Sequence, residues 1–205
     1  FAFIIACAIF LFYGLFILSL SSKSTKHRIF FISCLSLSLW AFSLSISNTA
    51  YDYETCLFWR RVGAFGWGSF FSFLLHFIII LTEKGEILKR KWIYIPIYFP
   101  AVVSIFVFGL YGKIAEGTYK LVNTYAGWVN ISYNTFWDWF YNIYYIGFSL
   151  IGIALILDWG RLSSEKEKKK QVYLISTSFF VAVLVGTMTE FVINAVFSFK
   201  SPQLA

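Results

Sequence analysis

Six long apolar stretches separated by short connections restrict what this chain can fold into more than any other feature of its sequence. They are Phe1–Leu20, Ile29–Ala50, about Phe58–Thr82, Trp92–Tyr111, about Trp139–Leu157 and about Val172–Phe199. Crossing the hydrocarbon core of a bilayer takes about 20 residues of α-helix at roughly 1.5 Å rise each, which is the length of these stretches. Charged residues make up only 13% of the chain and fall mostly between the stretches, so these are not core helices of a soluble protein. In lipid the backbone must satisfy its own hydrogen bonds, which selects helices. The sequence therefore predicts an all-α membrane protein, a helical bundle of six transmembrane spans. The chain does not begin with Met, its first residue already lies in an apolar run, and it stops at Ala205 just after the Ser201-Pro202 turn signal. It reads as a fragment truncated at both ends.

The basic residues give the orientation. Lys23, Lys26, Arg28, Lys84, Lys89, Arg90, Lys91, Arg161, Lys166, Lys168, Lys169 and Lys170 fall on one set of alternating loops, twelve of the 17 in the chain. Arg60, Arg61, Lys113, Lys120 and Lys200 fall on the other. The first set is expected in the cytoplasm, with the start of the chain outside. The net charge of +7 is then a topology signal rather than a nucleic-acid footprint, because it is spread over loops that flank spans. The Lys166–Lys170 stretch, with Glu165 and Glu167, is expected to start a solvated helix facing anionic headgroups.

The longest connection, Gly112 to Asp138, is expected on the outer side. Its β-branched and aromatic runs, Tyr119–Thr124 and Trp128–Ser132, flank Tyr125-Ala126-Gly127 and predict a small extracytoplasmic hairpin in which Gly127 supplies a positive φ. Trp92, Trp137, Trp139 and Trp159 stand at span ends, where an amphipathic ring suits the headgroup level. Cys7 and Cys34 lie in apolar spans and Cys56 is expected in an outer loop. Their spacing suggests no metal site and their odd number no complete disulfide framework. Small apolar packing residues is their plainer reading.

Polar residues inside spans mark the faces that meet, since helices in lipid associate through close packing and hydrogen bonds. Ser33, Ser36, Trp40, Ser43 and Ser47 form one stripe in the second span. Ser69, Ser72 and His76 form another in the third, beside Gly63, Gly66 and Gly68. Thr187, Glu190 and Asn194 form a third in the sixth, beside Gly186. Glu190 is the only acid well inside a span, and intramembrane acids are functional candidates by default. It lines an outward-opening pocket or couples protonation to helix packing; the alternative is a structural pair with Arg60 or Arg61, or a neutral side chain. His76 is a candidate ligand or proton switch, set against a hydrogen-bonded packing histidine; the other histidine, His27, lies in a loop. Trp40 is a candidate toggle or stacking surface, or a large residue wedging the serine face. Arg60 and Arg61 are candidate partners of headgroups or an acidic ligand, or interfacial anchors.

No HExxH, GxSxG, phosphate loop or CxxC occurs, and no lysine lies mid-span to carry a Schiff base. Nothing in the sequence calls for a cofactor or a metal, and the chain is not expected to be an enzyme.

The stretch Phe58-Trp59-Arg60-Arg61-Val62-Gly63-Ala64-Phe65-Gly66-Trp67, continuing to Ser72-Phe73-Leu74-Leu75-His76-Phe77 and Leu81-Thr82, resembles the N-terminal seven-transmembrane sensor region of bacterial histidine kinases, a module also found ahead of diguanylate cyclase domains. Trp40 sits where that family carries a Trp in its second helix. Trp92-Ile93-Tyr94 with Pro96 and Pro100 is similar to the start of its fourth, Phe136-Trp137 and Tyr144-Tyr145 to its fifth, and Gly186-Thr187 with Glu190 to its sixth. Ser201-Pro202-Gln203-Leu204-Ala205 looks like the lead into a seventh helix. The resemblance implies one transmembrane sensor domain over residues 1–205, in the bacterial cytoplasmic membrane. It further implies a homodimer and a cytoplasmic output domain in the same chain, responding to an unidentified extracellular or intramembrane ligand. No binding residue follows from it.

Three functions are open to such a chain: a sensory module, a small solute transporter or permease, and a membrane anchor that dimerises its output domain. No internal repeat and no Gly/Pro-broken helix pair favours transport. A sensor would work by a signal that binds two helix packings unequally.

Overall fold

Five of the six stretches form helices over most of their length, and several helix ends are set by a cap or a proline rather than by the end of the apolar run. The computed structural model describes residues 2–110, 119–124, 127–130, 135–162, 169–170, 172–177 and 180–181. Helix α1 is Ala2–Leu20, α2 Thr25–Asn48, α3 Tyr53–Leu81, α4 Tyr94–Ile105 and α5 Phe136–Leu162. Among the described residues five helical segments are long and apolar enough to cross a membrane, the fourth counted as Lys91–Leu110. The sixth expected span, Val172–Phe199, lies outside the described residues except for 172–177 and 180–181.

The chain divides into two compact units, Phe1–Phe148 and Ser149–Ala205. In the first, α1 packs along α2, α2 along α3, and α3 along α4. Helix α1 buries only Gly14, whereas α3 buries eleven residues and is the central helix of the unit. In the second, Gly160 of α5 approaches Val172 so closely that a Cβ on it would lie 2.6 Å from Val172 Cγ1.

Helix α3 begins five residues earlier than its apolar run. Asp52, in extended conformation, caps it by accepting from the Thr55 N–H at 2.8 Å and the Thr55 hydroxyl at 2.9 Å. Those bonds hold the Asp52 carboxyl below its ordinary pKa, with the Thr55 N–H the largest cause. Cys56, expected in a loop, therefore lies in the first turn of α3 and is fully buried. At the other end the Glu83 N–H donates to the Ile80 carbonyl and the Lys84 N–H to the Ile79 carbonyl, with Glu83 at φ 63°. This is the bond pair of a left-handed helix stop, made here with a side chain in the position that glycine usually takes.

Proline shapes the fourth segment. A 3₁₀ turn, Lys91–Ile93, leads into α4; Pro96 falls in its first turn, where no N–H is needed. Pro100 lies inside and leaves the Pro96 carbonyl without its usual donor. The last turn, Phe106–Leu110, widens into a π-helix. Helix α5 starts on a reciprocal cap: the Asp138 carboxylate accepts from the Thr135 N–H and hydroxyl, each at 2.9 Å, and the Thr135 hydroxyl oxygen accepts from the Asp138 N–H at 3.3 Å.

Between α4 and α5 two short antiparallel strands, β1 (Leu121–Thr124) and β2 (Gly127–Asn130), pair from Leu121↔Asn130 to Thr124↔Gly127. Gly127 has φ 102° and opens β2. It is also pressed against the Asn48 carbonyl, where a Cβ would collide, so both backbone conformation and space require glycine. The hairpin shares its end of the bundle with the α2–α3 connection. A buried cluster of Ala64, Val107 and Phe108, packed by Trp67, Val103, Tyr119, Trp137 and Tyr141, lies near that end. Trp137, at the start of α5, is half-buried against this cluster, while Trp92 and Trp139 are exposed.

Candidate functional site

The serine stripe of α2 meets Gly63 and Gly66 of α3, while Gly68 faces Ser104 and Ile105 of α4. A Cβ on Gly66 would lie 2.5 Å from the Ser36 carbonyl and 2.7 Å from the Trp40 nitrogen, and one on Gly63 would lie 3.2 Å from Ser43 Cβ. The backbones therefore touch at Gly66, and the Ser36 and Ser69 hydroxyls bond across the seam at 3.2 Å. Trp40 is seated here by its backbone; its ring is half-buried, with Cδ1 3.9 Å from where a Cβ on Gly63 would lie. The stripe of α3 does not stay on one face. Ser69 turns to α2, while Ser72 and His76 turn to α4 and α5.

That second face carries a hydroxyl network. The Ser72 hydroxyl donates to the Ile97 carbonyl of α4 at 2.5 Å and lies 2.7 Å from the Tyr144 hydroxyl of α5. The Tyr144 oxygen also accepts from the Ser72 N–H at 2.9 Å and faces the Gly68 carbonyl at 3.2 Å. Ser72 N–H to Gly68 carbonyl is one rung of the α3 ladder, so the tyrosine bridges a rung of another helix. One turn further, His76 is buried and its Nδ1 lies 2.6 Å from the Tyr98 hydroxyl, with Tyr94 and Tyr98 edge-on to its ring. Among the described residues no group of three or more His, Cys, Asp or Glu could hold a metal. This placement suits the packing-histidine reading of His76.

At the hairpin end Arg60 joins three elements. Its Nη2 donates to Asn48 Oδ1 at 2.7 Å and to the Trp128 carbonyl of β2 at 2.8 Å. The Trp128 indole N–H donates to the Ala50 carbonyl at 2.8 Å, and the Tyr53 ring packs edge-on against the Trp128 ring. Tyr119, beside β1, donates to the Arg60 carbonyl at 3.4 Å. Burial pushes the Tyr119 hydroxyl pKa up, against the positive charges of Arg60 and Arg61 and with the help of Asp138. The Nε groups of Arg60 and Arg61 are buried and meet no hydrogen-bond acceptor among the described residues.

Of the sequence-derived candidates, Trp40 lies on the α2–α3 seam, His76 on the α3–α4 seam, and Arg60 and Arg61 at the hairpin end, so no single pocket gathers them. Thr187, Glu190 and Asn194 lie outside the described residues. The sequence reading missed Tyr98 and Tyr144 as partners of His76 and Ser72. Tyr144 carried a signal only as part of the family resemblance, and Tyr98 carried none.

The family described as the N-terminal 7TM region of histidine kinase matches residues 2–202, nearly the whole chain. No curated protein and no solved structure matches it. The chain belongs to this family, a multi-pass sensory membrane region that is not itself catalytic.

Proposed function

We propose that residues 1–205 form one transmembrane sensor domain, the input module of a sensor histidine kinase in a bacterial cytoplasmic membrane. The match over residues 2–202 carries the reading. The start of the chain lies outside, the twelve-residue set of basic loops lies in the cytoplasm, and the hairpin faces outward. A signal favours one of two helix packings, and a seventh helix relays the bias to a cytoplasmic output domain within a homodimer. The network of Ser72, Tyr144 and the Ile97 carbonyl is the element to be repacked, because it ties α3, α4 and α5 through exchangeable hydroxyl bonds. Arg60, Arg61, Trp40, His76, Thr187, Glu190 and Asn194 are the residues through which a signal is to be sought.

A chimera tests this. The chain is fused through a seventh helix to a kinase output domain of known activity, and autophosphorylation is followed in the membrane. A stimulus-dependent change supports the sensor. Correct location with no response to any condition makes the chain an anchor, and solute uptake without the output domain makes it a transporter. Reporter fusions after Glu86 and after Lys120 check the orientation; activity of an export-dependent reporter at Glu86 would reverse it.

A further inference from the structure

Arg60 is a charge held by neutral oxygens. Its two oxygen acceptors are an amide side chain and a backbone carbonyl, at 2.7 and 2.8 Å, and its guanidinium also meets the buried Cys56 thiol one turn back. The carboxylates of Asp52 and Asp138 are each engaged in a helix cap, Asp52 on Thr55 and Asp138 on Thr135. Arg60 and Arg61 are half-buried, and the Nε of each is buried without an acceptor among the described residues. A guanidinium withdrawn from water and given only dipoles is under-compensated, and an oxyanion bonds it roughly twice as strongly as a neutral oxygen does. Its planar fork also matches the paired oxygens of carboxylate and phosphate.

The oxygens that Arg60 now holds are those that fix the hairpin. The Trp128 carbonyl belongs to β2, and Asn48 ends α2 directly beneath Gly127. We propose that Arg60 is the receptor for an oxyanion, carboxylate or phosphate, arriving from the hairpin side. The anion displaces the Trp128 carbonyl and Asn48 Oδ1, leaving β2 held at Trp128 by the indole bond to Ala50 and the Tyr53 ring. As a binding site this stands independently; as a signal it rests on the reading of the chain as a sensor.

The test uses the chain in phosphatidylcholine nanodiscs, with amide hydrogen exchange read over residues 121–130. Inorganic phosphate and succinate are titrated at constant ionic strength against chloride. Either is expected to raise hairpin exchange about tenfold, the weight of one hydrogen bond to a charged group. Asn48→Ala should shift the midpoint to lower anion concentration, because a competing acceptor is gone. Arg60→Gln should abolish the dependence. If phosphatidylglycerol nanodiscs give the raised exchange with no added anion, the anion's source is a lipid headgroup. No anion dependence in either nanodisc overturns the site, as does an equal response in Arg60→Gln. Should Arg60→Gln fail to fold, an unshifted midpoint in Asn48→Ala overturns it instead. An anion that frees the hairpin but leaves the kinase chimera unmoved keeps the site and removes its role as signal.

Discussion

Against α2, helix α3 presents glycines, and the two backbones approach until one methyl group would not fit between them. Against α4 and α5 it presents Ser72 and His76, and hydroxyls make the contact. Both arrangements answer the same difficulty: lipid tails are as apolar as leucine, so burial of oily side chains does not tell a helix which neighbour to choose. Close approach makes a seam that resists any change of spacing. A hydroxyl network makes one that can exchange partners at modest cost, which is why the proposed repacking is placed on the α4–α5 side.

The difference is broken most directly at Gly66. Gly66→Ala places a carbon 2.5 Å from the Ser36 carbonyl, and no rotamer relieves a clash with backbone, so the helices must part. A loss of more than about 2 kcal/mol is expected, measured as the midpoint shift on titrating the chain in mixed micelles with dodecyl sulfate. Gly147→Ala in α5, with nothing within 4 Å, is the control and should gain about 0.5 kcal/mol from helix propensity. If both behave alike, the seam is not set by close approach.

Tyr144→Phe should cost about 1 kcal/mol in the same titration, less than Gly66→Ala, because it removes hydroxyl bonds without forcing the helices apart. A loss as large as that of Gly66→Ala would make the hydroxyl seam as rigid as the glycine seam. Ser36→Ala should cost least, about 0.5 kcal/mol, since each hydroxyl also has a carbonyl of its own helix within bonding distance, Ile32 for Ser36 and Phe65 for Ser69, to which the one left unpaired can turn. A double-mutant cycle with Ser69→Ala isolates the cross-seam part.

A last, smaller effect lies outside both seams. The folded Asp52 carboxyl has a lowered pKa, so its stabilising contribution is complete above the unfolded value near pH 3.9 and is lost as pH falls through the folded value. The Thr55 amide resonance, followed from pH 6 down to about pH 2, should titrate with a midpoint below 3.9. A midpoint at or above that value would remove the cap from the account of where α3 begins.

Five spans were legible because the bilayer's thickness is written in the length of an apolar run. The helix ends were not, because a helix continues into the headgroup layer until something caps it. Tyr53–Leu57 look like loop until Asp52 is seen to hold the first turn. The glycine and serine stripes were legible at helical spacing, and the split of the α3 stripe between two partners was not, since it depends on where neighbouring helices are placed. Tyr98 and Tyr144 were hidden among 13 tyrosines, and only helix rotation decides which hydroxyls find a partner. The neutral setting of Arg60 was equally hidden. Its acceptors sit 12 and 68 residues away, and one is a main-chain carbonyl, which no side-chain pattern can announce.

The Tyr144 hydroxyl within the α3 ladder turns one proton into a reporter. The Ser72 amide shares its bond with a side chain 72 positions along the chain, so its chemical shift and exchange rate record the docking of α5 separately from the coiling of α3. A single isotopic label at Ser72 thus distinguishes a bundle that has opened from a helix that has melted, within one spectrum and without any perturbing substitution.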